Sequence, residues 1–210
     1  MNREEWMNHI SDCLFTCMFS IGISHSILEA LSIPFPLWKL SLWIFLTYGA
    51  LMALFWNRRI LLLSLPMVLC CSIGYLILAV QGGWFSLGHF GIWAIRFIIG
   101  AEDLSVQYVP LFIFLLVLSI TFFGFFFIHK KFVFWPLLTF STIIFLVEWF
   151  FLHRNLFLPL LLVIPCLILL FGRSYLQRIG QTGYGSWQLW CFPLVLALVL
   201  LAFVATPRKP

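Results

Sequence analysis

Charge is scarce in this sequence. Of 210 residues, 12 are Lys or Arg and 7 are Asp or Glu, so 9% are charged. A soluble domain carries about 25%, so no water-facing surface can be assembled from this chain. Signatures of soluble chemistry are missing too. There is no His-Glu-x-x-His helix to hold zinc, no glycine-rich phosphate loop and no Gly-x-Ser-x-Gly nucleophile turn. The six cysteines, Cys13, Cys17, Cys70, Cys71, Cys166 and Cys191, all fall in apolar runs. None forms a Cys-x-x-Cys pair or joins a His at ligand spacing, which argues against a zinc or redox motif and leaves them as small buried hydrophobes. No metal or cofactor is implied. The formal charge of +5 forms no stripe, so no nucleic-acid partner is expected.

What is present is hydrophobic and aromatic. The hydrophobic share is 63%, the aromatic share 19% and the mean hydropathy +1.10. The run 106–128 has no charged residue and stops at His129-Lys130-Lys131; a second apolar run, 132–152, ends at His153-Arg154. At 1.5 Å per residue each suffices to cross a ~30 Å hydrocarbon layer. Together they predict a transmembrane hairpin with its basic turn in the cytoplasm.

The rest of the chain repeats this device. Residues 1–12 predict a polar, interfacial lead with Trp6 and Met7 on its apolar side. With Arg3, Glu4, Glu5 and Asp12 at its front and no small-x-small cleavage site behind, the first apolar segment is expected to be retained as a helix. It runs from Cys13 to about Ile33, the least apolar span, stopped by Pro34 and Pro36. Further spans are predicted over 37–56, 60–80 with Pro66 as a kink, 155–171 and 187–206. Residues 84–100, broken by Gly88, His89, Gly91 and Arg96, predict an interfacial or re-entrant segment followed by the acidic Glu102-Asp103. The stretch 172–186 reads as a polar, glycine-rich loop, Tyr184-Gly185-Ser186 as a flexible part of it, and 207–210 as an extracytoplasmic tail. The fold class is therefore all-α, a polytopic transmembrane helical bundle over 13–206. It has about seven spans, or six if 13–33 does not cross. Arg58-Arg59, Lys130-Lys131 and Arg173 with Arg178 mark alternate turns, which predicts the N-terminus inside and the C-terminus outside.

A charge at mid-bilayer costs at least ~2.5–3.5 kcal/mol, so acids inside spans are candidates for function. Two qualify. Glu29 follows His25 by four residues, so the two can meet on one helical face. Glu148 stands beside Trp149 near the end of its run. These three are the candidate intramembrane polar residues, with interfacial solvation as the simpler reading of both acids. His89 and Arg96 are candidate interfacial residues, more simply membrane anchors. His129 reads as a turn residue. A Ser24/His25/Glu29 triad fails, because adjacent Ser24 and His25 point about 100° apart on a helix. No catalytic residue is assigned and no enzyme is expected.

The second half has a distinctive layout. An acidic, Trp-bearing outer loop leads to Gln107-Tyr108-Val109-Pro110 and a long Phe/Leu helix. The Lys130-Lys131 turn, a helix closing on Glu148-Trp149 and a short Pro-bearing helix follow. A basic, Gly-rich loop leads to Ser186-Trp187-Gln188-Leu189-Trp190 and a last helix emptying into Ala205-Thr206-Pro207. Over residues 80–210 this resembles the N-terminal membrane region of bacterial transglutaminase-like membrane proteins. The resemblance implies a bacterial plasma-membrane protein in which a helical region precedes an extracytoplasmic transglutaminase-like domain. That catalytic domain would begin after Pro210, so none of its active-site residues is carried over. The expected function is a non-catalytic anchor or scaffold for an extracytoplasmic domain or partner, embedded in the lipid bilayer. The alternatives are a small-solute transporter or substrate-binding subunit using the polar residues above, and an intramembrane enzyme.

Overall fold

Where the helices begin and end is set by local chemistry, and it differs in places from the run boundaries. The computed structural model describes residues 3–56, 87–103, 105, 108–152, 157–179 and 184–205. Every regular element among them is helical: α1 (Arg3–Ala30), α2 (Leu37–Trp56), α3 (Leu87–Ile99), α4 (Val109–Phe125), α5 (Phe134–Val147), α6 (Phe157–Arg178) and α7 (Tyr184–Ala205). One-turn π-helices, Phe126–Lys130 and Glu148–Leu152, continue α4 and α5. Among the described residues five helices are long and apolar enough to cross a membrane: Glu4–Ala30, Leu37–Phe55, Val109–Lys130, Phe157–Arg178 and Tyr184–Ala202. The second arm of the expected hairpin is shorter, Phe134–Phe150. The expected span 60–80 lies outside the described residues.

The expected lead and first span are one helix. Nothing before Cys13 breaks the ladder, and Glu4 and Glu5 favour its positive N-terminal end. The far end closes before the prolines. Ser32 takes a left-handed conformation (φ 57°); its N–H donates to Glu29 O at 3.0 Å while Ile33 N–H donates to Leu28 O at 2.9 Å. These two bonds form a Schellman cap. Gly100 (φ 78°) closes α3 in the same way, its N–H on Phe97 O and Ala101 N–H on Arg96 O. The expected loop from 172 is a second correction. α6 runs through Gly172 to Arg178, and Tyr184-Gly185-Ser186 opens α7. Gly172 is needed because a Cβ there would meet the Trp187 indole at 2.4 Å.

The chain forms two compact units, residues 1–48 with 117–210, and residues 49–116. In the first, α1 is the hub, packed against α5, α6, α7 and the π-turn after α4. Phe15, Phe19 and Ile23 recur every four residues on α1 and are buried, as are Val163, Cys166, Leu169 and Leu170 of α6. Two glycines allow the close approach. A Cβ on Gly22 would lie 2.5 Å from Val163 Cγ2, and one on Gly185 would lie 2.6 Å from the Asn8 backbone. Outward, α2 and α7 present large apolar side chains, among them Trp38, Leu46, Trp190, Leu194, Leu198 and Leu201. Such a surface suits a hydrocarbon solvent rather than water.

The second unit holds α3 (13 residues), about 20 Å long at 1.5 Å per residue and thus too short to span. Phe90, Trp93 and Phe97 form its buried face. Trp93 stacks on Phe97 with ring centres 5.1 Å apart and meets Phe112 edge-on at 6.3 Å. Ile92, Ile95, Ile98 and Ile99 are exposed.

Candidate functional site

The hydrogen-bonded polar side chains that α1 shares with other elements of the first unit collect at two places along it. Fourteen residues separate Asp12 from Ser26, about 21 Å along the helix axis.

At the N-terminal place Asp12 is the centre, 3% exposed. Arg173 of α6, also 3% exposed, donates from Nη1 to Asp12 Oδ1. His129, carried on the π-turn after α4, sets Nδ1 3.2 Å from Asp12 Oδ2. Both carboxylate oxygens are therefore engaged. The guanidinium is sandwiched between rings, its carbon 4.0 Å from the Phe132 centroid and 3.9 Å from that of Tyr184, a cation–π arrangement that Arg suits. His129 also stacks on Phe125 at 5.1 Å and lies 5.4 Å from the His9 ring. Neutral polar bonds extend the cluster. Ser11 Oγ donates to Gln188 Oε1 at 2.6 Å, and Gln188 Nε2 donates to Leu169 O at 3.1 Å. Gly185 N–H, a first-turn donor that α7 itself cannot satisfy, donates to Asn8 Oδ1 at 2.8 Å. By sequence Asn8, Ser11 and Asp12 fall in a polar lead, His129 in a turn, Arg173, Tyr184 and Gly185 in a loop, and Leu169 and Gln188 in spans; in the structure they form one buried network. The available signal was Asp12 itself, the first member of a four-residue series that continues Thr16, Ser20, Ser24.

At the other place lie the three residues that the sequence singled out inside spans. His25 Nδ1 is 3.5 Å from Glu29 Oε2, a contact at the edge of hydrogen-bond reach on a partly exposed helical face. Glu148 opens the π-turn after α5 and is only 3% exposed. Ser26 Oγ of α1 donates to its Oε2, and Glu29 is near enough to act on it electrostatically. The acid is thus enclosed by protein rather than laid open at a surface. Ser24 points elsewhere, as the 100° argument requires, and its buried hydroxyl makes no bond with His25 or Glu29. Both π-turns carry an ionisable residue into the bundle, the placement that such bulges often serve.

The candidate interfacial residues are separate from these. His89 and Arg96 are exposed on α3 in the second unit, and Arg96 Nη1 pairs with Glu102 Oε1 at 3.1 Å. That exposure suits an anchoring role.

Among the described residues, Cys13, Cys17, Cys166 and Cys191 are free thiols, and no three His, Cys, Asp or Glu side chains converge to hold a metal. A cleft of about 110 Å³ is lined by Phe134, Trp135, Phe171, Ser174, Tyr175 and Arg178; small-molecule sites are usually 300–1,000 Å³. The arrangement offers a buried, ring-sandwiched ion pair at one place and an enclosed, hydroxyl-bonded carboxyl at the other. No protein-family model matches this chain, nor does any curated protein or solved structure.

Proposed function

We propose that the chain is a multi-pass membrane protein of about seven spans, N-terminus inside and C-terminus outside, that anchors and positions an extracytoplasmic domain or partner. This is the role implied by the resemblance to the membrane region of transglutaminase-like proteins. The observation that carries it is the lock at the start of α1. Asp12–Arg173, Ser11–Gln188 and Asn8–Gly185 tie one helix to two others distant in sequence. A platform that must hold a partner in register needs such fixed crossings, and paired buried charges are one way to specify them. The topology draws support from the same cluster. His129 beside the Lys130-Lys131 turn, Arg173 near the basic end of α6 and the start of α1 lie together, as residues of one membrane face would.

A reporter pair fused after Pro210 tests this. Alkaline phosphatase is expected to be active there and green fluorescent protein dark. The opposite result places the C-terminus in the cytoplasm and removes the anchoring role.

A second reading, a proton-linked or solute-binding membrane subunit, is favoured by the burial of Glu148. Glu29→Gln and Glu148→Gln would then lower flux or binding; unchanged transport by the double variant ends it.

A further inference from the structure

α6 ends on two arginines that the fold uses differently. Arg173 is buried, and the Asp12 carboxylate neutralises it. Arg178 is exposed, and no acid among the described residues pairs with it. Five residues turn a helix by about 140° beyond a full circle, so the two cations look in different directions. Arg178 lines the cleft of about 110 Å³ between the start of α5 and the end of α6. The rest of that lining is four rings and the Ser174 hydroxyl; no acidic side chain among the described residues belongs to it. A guanidinium so placed is complementary to an anion from outside.

Polarity is graded along the cleft. Phe171, Ser174, Tyr175 and Arg178 stand at i, i+3, i+4 and i+7, so they share one side of α6 and climb about 10 Å from ring to guanidinium. Ile168, on the same side and a turn earlier, is exposed like Phe171. From α5, the buried Phe134 forms the floor, edge-on to Phe171 with ring centres 5.5 Å apart and to Trp135 at 5.8 Å. Trp135, Phe171 and Tyr175 stay exposed, so the cleft opens outward and does not close over a ligand. The order is aliphatic, aromatic, hydroxyl, cation. The edge of a bilayer has the same order: beyond a ~30 Å core each headgroup layer is about 5–8 Å deep, and Trp and Tyr settle at that level. Lys130 and Lys131, both exposed on the turn before α5, add positive potential that draws anionic lipid.

We propose that this cleft binds the headgroup of one anionic phospholipid, with the lipid phosphate on Arg178 and Ser174 and the acyl chains over Phe171 and Ile168. The planar guanidinium donates two parallel bonds to phosphate oxygens, and the Ser174 hydroxyl donates a third. The volume suits a headgroup better than a whole metabolite. At about 110 Å³ the cleft falls below the 300 Å³ or more that small-molecule sites usually have, but a lipid seats only its polar end and leaves its tails in the hydrocarbon. The single cation favours a lipid of net negative charge over a zwitterion, whose own ammonium competes for the phosphate. The site requires α5 and α6 to lie in a bilayer. It does not depend on the anchoring role or on the side of the C-terminus, so the reporter result and the lipid result stand apart.

The test uses the full chain in a neutral detergent with equal amounts of phosphatidylglycerol and phosphatidylcholine, and native mass spectrometry counts the lipid retained. The wild type is expected to retain phosphatidylglycerol about tenfold over phosphatidylcholine, the ratio equivalent of one charge-assisted bond. Arg178→Gln abolishes that preference. Ser174→Phe, which keeps the cation but fills the cleft, abolishes it too. Lys39→Gln removes another exposed cation, one that lies over the Trp38 ring outside the cleft, and leaves the preference unchanged. Equal retention of the two lipids by the wild type, or a wild-type preference in Arg178→Gln, overturns the proposal. A Lys39→Gln protein that loses the preference as fully as Arg178→Gln overturns it as well, since net charge and not the cleft would then select the lipid. Displacement of phosphatidylglycerol by excess inorganic phosphate overturns the lipid assignment in favour of a soluble phosphate. The wild-type ratio and the phosphate competition need no variant, so they decide the proposal even where a substitution disturbs folding.

Discussion

α1 and α7 are both long enough to cross a bilayer, yet they occupy opposite environments. α1 is the least apolar of the five long helices among the described residues, and 56% of its most apolar stretch is buried; for the more apolar α7 the figure is 17%. In water the order would be reversed, because apolar surface would be drawn inward. Hydrocarbon is as apolar as a leucine side chain, so it exerts no such pull on α7. What it rejects is charge and unpaired polarity. The helix bearing Asp12, Thr16, Ser20, Ser24 and Ser26 therefore takes the centre, and the helix bearing Trp190, Leu194, Leu198 and Leu201 takes the rim. Each of these two helices is stabilised by what the other lacks.

The largest effect should come from breaking the centre. Arg173→Ala leaves the Asp12 carboxylate buried without its cation and is expected to cost about 3–5 kcal/mol, read as a lower unfolding midpoint in detergent. Adding Asp12→Asn should recover part of the loss. Wild-type stability in Arg173→Ala would mean that the centre is not held by its charges.

The rim should fail differently. Leu198→Arg puts a cation against lipid and should raise the cost of inserting α7 by about 2.5–3.5 kcal/mol, measured by glycosylation mapping. Leu198→Phe should stay within about 0.5 kcal/mol. Equal insertion of the two variants would contradict a lipid-facing rim.

Close packing sharpens the contrast further. Gly22→Ala forces a methyl into Val163 and should cost about 1–3 kcal/mol. Gly49→Ala on α2, where a Cβ would meet nothing within 4 Å, is the smallest effect, neutral or stabilising by up to about 1 kcal/mol through helix propensity. Thermal melts of the two variants side by side decide it. A Gly22→Ala protein as stable as Gly49→Ala would show that α1 and α6 do not approach as closely as described.

Much of the helical class was readable without coordinates. From Val109 onward the run 106–128 forms α4 and its π-turn, and Pro34 and Pro36 do lie beyond the end of α1. The candidate acids were readable too, since an acid inside an apolar run is conspicuous. Their surroundings were not. Ser26 and Glu148 are 122 residues apart, and Asp12 and Arg173 are 161 apart; no local pattern encodes which rotational phases will face each other. Arg173 was hidden for a further reason. Gly172 and the polar residues after it resemble a loop in sequence, and the contacts that accompany a helical turn there, Trp187 against Gly172 and Asp12, Phe132 and Tyr184 around Arg173, come from distant segments.

Apolar length is a sum over neighbouring residues, so the sequence alone was enough to determine a helical chain suited to a membrane. Which helix lies at the centre is a different kind of property. It depended on Gly22 and Gly185 admitting close contact and on Arg173, Gln188 and Glu148 arriving opposite the polar side chains of α1. Those pairings exist only once distant segments share a space, because a buried charge is stabilised by its partner's position and not by its own neighbours in the chain.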